Sequence, residues 1–309
     1  MSDINEGAPA GHVGWGIQLP IQSQSGIFVA PWERQAGPTE LLAVAQAADR
    51  AGASYLAVCD HVAIPDDLVE SMGSVWYDTV ATIGWLAGLT DRTRLLSHVY
   101  VLPYRHPTVT AKAFATLDLL SGGRTILGVG AGHVEAEFEL LGLDFSTRGR
   151  ALDAAIAGVR QAFGGTFEGN AVEPRSPRPG GPPIWVGGSS RAAIRRAARL
   201  GDGWLPQGQP EMGMRGAIEM IREVQREHHG AERPIEIGIH GGIFHLGQPD
   251  WDVGEHCVTG GAAEIAPRLR KAVALGATQV QLRFVARSDS ELSDQLERFG
   301  AEVWPEVIA

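Results

Sequence analysis

The chain has only two cysteines, Cys59 and Cys257, far apart in sequence. Neither belongs to a CxxC pair or a Cys/His spacing, which excludes a disulfide framework and a structural zinc and fits a reducing cytoplasm. Long apolar runs are missing too. The longest nearly apolar stretch, Thr79 to Leu89, falls short of the about 20 residues a membrane-spanning helix needs. The first sixteen residues contain Asp3 and Glu6 and lack the basic-then-apolar order of a secretory signal. A soluble cytoplasmic protein with no membrane partner is expected. Basic clusters are absent as well: 26 Lys and Arg stand against 36 Asp and Glu, a formal charge of -10, so nucleic acid is not an expected partner. No Walker A motif and no HxH pair at a strand end occur, which disfavours a metal hydrolase.

Glycine is what the chain has in excess. Its 40 glycines in 309 residues are about 13%, against a usual level of about 7%. With 44% apolar and 20% charged residues the composition is otherwise that of a soluble globular protein. Apolar periodicity alternates between short strand-like runs and helical segments. Strands are expected at Val13–Leu19, Tyr55–Cys59, Arg94–Val101, Thr125–Val129, Ile184–Val186, Gly203–Leu205, Ile235–Phe244 and Gln279–Phe284. Helical patterns fall between them, for example Leu41, Val44, Ala45 and Ala48, or Arg148 to Phe163. Eight β/α units over this length predict an α/β fold, a (β/α)8 TIM barrel filling residues 1–309, with insertion loops at its C-terminal face. A doubly wound open sheet is the alternative. The proline-rich stretch Gly164 to Pro183 reads as a long barrel loop.

In such a barrel the chemistry sits at the C-terminal ends of the strands. Strand two ends in Asp60-His61. His61 suits a general acid/base, or else a loop histidine bonded to backbone, and alternation along the strand points Asp60 the other way, as a structural anchor. Strand three carries Ser97-His98-Val99; His98 interrupts an apolar run and is either ligand-facing or satisfied inside the barrel. Strand four ends in Gly128-Val-Gly130-Ala131-Gly132-His133, which fails the dinucleotide fingerprint because His133 stands where its last glycine belongs. It reads instead as a glycine turn that brings a flat or anionic ligand to the backbone. Glu135, Glu137 and Glu139 on the following helix read as solvated or as partners of its dipole. Strand five ends in Val186-Gly187-Gly188-Ser189-Ser190 and enters a helix, a favourable phosphate cradle in which Ser189 alternatively serves only as an N-cap.

Together these residues resemble the luciferase-like flavin/deazaflavin oxidoreductase superfamily. The similarity runs from about Gly14 to Trp204 and is strongest over His106 to Arg124 (HPTVTAKAFATLDLLSGGR) and Leu127 to Gly132. Glu137-Phe138, Arg148-Gly-Arg150, Ile184-Trp-Val-Gly-Gly188 and Gly201-Asp-Gly-Trp204 follow in order. Asp60-His61, the Leu-Asp-Leu-Leu-Ser-Gly-Gly-Arg run and Gly-Asp-Gly-Trp resemble the branch that uses coenzyme F420, a 5-deazaflavin. The resemblance implies a non-prolyl cis peptide at Ser97-His98 or His98-Val99. It also implies cofactor contacts from Asp60 on strand two, Ser97, His98 and Val99 on strand three, and Gly130 to His133 on strand four. Val186 to Ser190 on strand five complete the set, with the cofactor phosphate at the last four. Two departures argue against a sugar-phosphate substrate: His133 replaces an acid after the strand-four glycines, and Val62-Ala-Ile-Pro65 replaces a tryptophan soon after Asp-His. His133 is then an acid/base or a shelf beside the ring.

The implied function is F420-dependent hydride transfer between the deazaflavin C5 and a small, neutral organic substrate, with His61 and His133 as the catalytic candidates. An FMN-dependent monooxygenase and a non-catalytic deazaflavin-binding protein are the alternatives. Members of the superfamily often pair as homodimers. The loops Gln22–Gly37, Ala63–Val75 and Gly247–Val258, with Trp32, Trp76, His240, His245 and Trp251, are expected to shape the substrate pocket. Gly52, Gly201 and Gly276 read as punctuation after helices, whereas Gly130, Gly132, Gly187 and Gly188 are expected to meet the cofactor.

Overall fold

Alternation of side chains along eight short strands builds two layers of burial from one sequence pattern. In a computed structural model, which describes residues 13–25 and 29–309, the strands are β1 (Gly14–Gln18), β2 (Tyr55–Val58), β3 (Arg94–Ser97) and β4 (Thr125–Gly130), followed by β5 (Ile184–Gly187), β6 (Gly203–Leu205), β7 (Glu236–Leu246) and β8 (Gln279–Phe284). The secretory-signal reading at the N-terminus and part of the Gln22–Gly37 loop lie outside the described residues. Every strand pairs in parallel with the next, and β8 pairs with β1 (Gly14↔Gln279), so the sheet closes. The expected TIM barrel is the observed one, and the open-sheet alternative is excluded.

The helices that follow the eight strands in turn are α1 (Pro38–Arg50), α2 (Thr79–Ala87), α3 (Pro107–Leu120), α4 (Arg148–Phe163), α5 (Arg191–Leu200), α6 (Gly213–His229), α7 (Ala262–Ala274) and α8 (Asp289–Arg298). Local chemistry sets their starts. Asp78, Ser190 and Ser288 cap backbone N–H groups of α2, α5 and α8, and Pro107 opens α3 behind His106. Outward strand residues such as Leu56, Val129, Val186 and Val280 are fully buried against apolar helix faces such as Leu41 and Val44. Inward residues Tyr55, Leu96, Ile126, Trp185 and Leu205 form a separate plug inside the barrel. Small inward residues make room for it: a Cβ on Gly16 would stand 2.6 Å from the Tyr55 ring, and one on Gly203 2.4 Å from Trp185. Below the plug, Gln279 donates to Glu236 (3.2 Å) and Arg94 lies 3.9 Å from the same carboxylate. The lower end is therefore filled, and any cavity must lie above.

Two departures from the expected elements shape that upper end. The third strand does not run unbroken to Val101; it stops at Ser97, the His98–Val99 peptide is cis, and Tyr100–Val101 rejoins the sheet against β4. A further strand, Cys257–Gly260, pairs with the end of β7, and a bridge between Gly247 and Gly260 folds the intervening loop back on itself. The Gly164–Pro183 stretch is a loop with a small hairpin, Thr166–Phe167 with Asn170–Ala171. Among the described residues no helix is long and apolar enough to cross a membrane, and none group into a metal site.

Candidate active site

A cavity of about 850 Å³ opens above the plug, at the C-terminal ends of the strands. That volume falls within the ~300–1,000 Å³ usual for small-molecule and cofactor sites.

One end is built around His61, just past β2. Its Nδ1 lies 2.8 Å from Glu137 Oε2, and the ring is wedged edge-on between Trp76 (4.3 Å) and His133 (5.5 Å). Glu137, on the short helix Glu135–Leu140, is 1% exposed, so the solvated role expected of it is wrong. Its Oε1 accepts the N–H groups of Val62 (2.6 Å) and Ala63 (3.2 Å), and its Oε2 also accepts the Tyr104 hydroxyl (3.1 Å). Burial pushes this carboxyl up, but the bond and charge of His61 and the two backbone donors outweigh it and hold it below the usual carboxylate range. Burial, and then the adjacent carboxylate, keep the Tyr104 phenol far above its ordinary range. His133 opens to solvent at the rim, where the surrounding wall and then His61 lower its proton affinity.

Asp60 turns away from His61, as strand alternation predicted. Its carboxylate takes both terminal nitrogens of Arg105, the Val101 N–H (2.8 Å) and the Thr79 hydroxyl (3.2 Å). Arg105 in turn lies 4.1 Å over the Tyr100 ring. Asp60 thus fastens the chain that resumes after the break in β3, and it reaches the cavity only as part of that wall.

His98 and Val99 form the middle of the wall with Gly130, Ala131, Gly132 and Gly187. His98 is 4% exposed; its Nε2 meets the Leu205 carbonyl at 3.3 Å, and its Nδ1 has no partner among the described residues. Burial, then nearby His240, push its pKa down to about 4. The strand-end glycines Gly130 and Gly187, which line the cavity, also make room for Val99. A Cβ on Gly130 or Gly187 would stand 2.4 or 2.2 Å from a Val99 methyl, so their missing side chains seat Val99 in the wall. Ser97 exchanges hydrogen bonds with Gly128 (2.9 and 3.0 Å) and Val186 packs outward; neither lines the cavity.

The far end is the start of α5. Ser190 is its N-cap, accepting the Ala193 N–H (3.2 Å), while Ser189 donates to the Gly208 carbonyl (2.7 Å). Trp204 holds the Gly188 carbonyl from below (2.9 Å), which gives the Gly-Asp-Gly-Trp motif a structural purpose. Arg148 and Arg196, unforeseen in the sequence reading, complete this end. Arg196 is committed to Asp153, whereas Arg148 makes no ion pair among the described residues. The start of α5 and the Arg148 guanidinium thus lie at one end of the cavity, a combination whose chemistry suits an anion.

Of the expected pocket residues, Trp32, Trp76 and His240 line the cavity; His245 and Trp251 do not. They pack on each other (6.0 Å) because the Gly247–Val258 loop is tied back to the end of β7. Trp76 stands against His61 although no tryptophan follows Asp60-His61 closely in sequence.

Fold and site together define a TIM barrel whose upper cavity is lined by the start of α5 and by a histidine backed by a carboxylate. The sequence profile of the luciferase-like monooxygenase family matches residues 19–250, and the chain belongs to that family. An uncharacterised protein of Mycobacterium tuberculosis is 33% identical over 65% of this chain and 76% of its own. An F420-dependent glucose-6-phosphate dehydrogenase of Beutenbergia cavernae is 34% identical over 55% of this chain and 53% of its own. An FMNH2-dependent dimethylsulfone monooxygenase of Pseudomonas fluorescens is 28% identical over 53% and 47%. This chain thus spans about half the length of these two relatives of assigned activity. Among solved structures, an F420-dependent secondary alcohol dehydrogenase in complex with an F420-acetone adduct superposes with a TM-score of 0.75 at 16% identity, covering 96% of this chain and 99% of that one.

Proposed function

We propose that this protein is an F420-dependent oxidoreductase acting on a small, neutral organic substrate. The observation that carries this reading is the layout of one cavity, with an anion cradle at Gly187–Ser190 and Arg148 and a carboxylate-backed His61 across from it. The residues present fit such a cofactor. The cradle suits its phosphate, and the wall formed by Val99, Gly130 and Ala131 suits a flat ring. When bound, F420 supplies hydride transfer at C5 of its deazaflavin. The protein's part is to orient the substrate, exclude water and handle the proton. For an alcohol, His61 takes the hydroxyl proton; in the reducing direction it returns one to the product. Trp32, Trp76, Met72 and Leu292 give the substrate side an apolar wall, which supports a neutral substrate over a phosphorylated one.

The FMN-dependent alternative is kept because the cradle also suits the phosphate of FMN and a relative in the family uses FMNH2. Titrating the purified protein separately with F420 and with FMN, followed by fluorescence, decides between them. Saturable binding of F420 with none of FMN is expected; tight binding of FMN alone would overturn the proposal.

A further inference from the structure

We infer that Glu137 is a positioning residue that fixes which nitrogen of His61 carries the proton, leaving Nε2 as the atom that accepts or returns a proton in the cavity. This rests on the reading of His61 as the proton-handling group. The inference follows from counting donors. Glu137 receives four: the Val62 and Ala63 N–H groups on Oε1, and His61 Nδ1 and the Tyr104 hydroxyl on Oε2. An ionised carboxylate has about four lone-pair positions and no proton to give. The two backbone N–H groups can only donate and occupy Oε1; with the carboxyl held below its usual range, Oε2 is an acceptor too, and His61 brings the hydrogen on Nδ1.

The rest of the ring is then constrained. Trp76 and His133 hold its plane from the sides, and among the described residues Nε2 makes no hydrogen bond. A proton arriving on Nε2 meets a buried counter-charge through the ring, which is the arrangement a general base needs. Tyr104 braces the same oxygen that holds His61, and its ring packs edge-on against Phe138 (4.8 Å), so the carboxylate is clamped from both sides.

A single amide substitution tests this because the backbone donors dictate its outcome. In Glu137→Gln, Val62 and Ala63 claim the amide oxygen, so the amide NH2 turns toward His61. Nδ1 must then accept, and the ring must carry its proton on Nε2. The experiment is ¹H–¹⁵N correlation spectroscopy of the full chain labelled at histidine, without cofactor, at a pH where His61 is neutral, with His61→Asn identifying its signals. The expected result is Nδ1–H in the wild type and Nε2–H in Glu137→Gln. A wild type carrying the proton on Nε2, or a folded Glu137→Gln retaining Nδ1–H, would overturn the inference. Should Glu137→Gln not fold, the wild-type spectrum alone still decides. Because no cofactor is present, the outcome is separate from whether F420 or FMN binds.

Discussion

Two histidines in the wall of one cavity meet opposite surroundings. His61 has a buried carboxylate 2.8 Å from its ring, so a proton taken up there is neutralised where it lands. His98 has only the Leu205 carbonyl at 3.3 Å and a second histidine nearby, and burial pushes its pKa down to about 4. Burial without a charged partner therefore removes His98 from acid/base chemistry near neutral pH, whereas His61 has a fixed carboxylate to hold its ring. Both are histidines beyond the end of a barrel strand, but His98 is buried without a charged partner and His61 is partly buried beside one.

The largest effect should come from removing the partnered histidine. His61→Ala is expected to lower turnover by ~10²–10⁴-fold, the usual contribution of a general acid/base, while F420 affinity stays near the wild-type value. His98→Gln should not produce a loss of that size. Near-normal turnover in His61→Ala with cofactor affinity retained would break the comparison at its first term.

The second effect belongs to His98 and appears in stability. Unfolded, His98 takes up a proton near its ordinary 6.5; folded, only near 4. Between these values the unfolded chain binds more protons, so stability is full above about pH 6.5 and lost as pH falls toward 4. A shift of this size corresponds to about 3 kcal/mol over the window. Denaturant melts of the wild type and His98→Gln at pH 7.5 and pH 4.5 should differ mainly at the lower pH. His240, depressed in the same direction by burial, leaves a smaller residual slope. Equal pH dependence in both proteins would remove His98 from the account.

What the sequence made legible follows the reach of each signal. All eight barrel strands could be read because apolar periodicity is local, and the start of α3 could be read from Pro107. The site partners could not, since His61 and Glu137 are 76 residues apart and Asp60 and Arg105 are 45 apart. Such pairs are set by strand register and by where a loop returns, which no short pattern encodes. One clue to Glu137 was present: it stands next to the apolar Phe138 in a short helix, and Phe138 is buried. The break at His98 was visible as a polar residue in an apolar run, although its neighbours were not. Several residues of the family-like motifs turn out to be framework. Arg124 donates to the carbonyls of Ala87 (2.7 Å) and Thr93 (3.0 Å), and Asp118 accepts the Thr125 N–H (3.0 Å), all below the cavity.

Next in size is the seat of Val99. Gly187→Ala places a methyl 2.2 Å from a Val99 carbon, where something must shift. Overpacking of this kind costs about 1–3 kcal/mol. If the glycine served the ligand alone, the variant would lose cofactor affinity and keep its stability. With Val99 as the neighbour, the melting temperature should fall together with F420 affinity. Pairing Gly187→Ala with Val99→Ala, which opens the space again, should recover part of the stability; no recovery would mean that the methyl meets something else.

The smallest effect separates two tryptophans that the sequence could not tell apart. Trp76 lines the cavity and stacks edge-on against His61, whereas Trp251 packs on His245 and lies 5.5 Å from the Arg287 guanidinium, outside the cavity. Trp76→Leu keeps an apolar wall but loosens the His61 ring, so both KM and turnover should change, by about tenfold or less. Trp251→Leu should leave both within about twofold, because a loop anchored on the end of β7 has no route to the substrate. Steady-state kinetics of the two variants on one substrate make the comparison. A Trp251→Leu effect as large as that of Trp76→Leu would mean that the Gly247–Val258 loop reaches the cavity in the working enzyme, and the substrate side would then need redrawing around it.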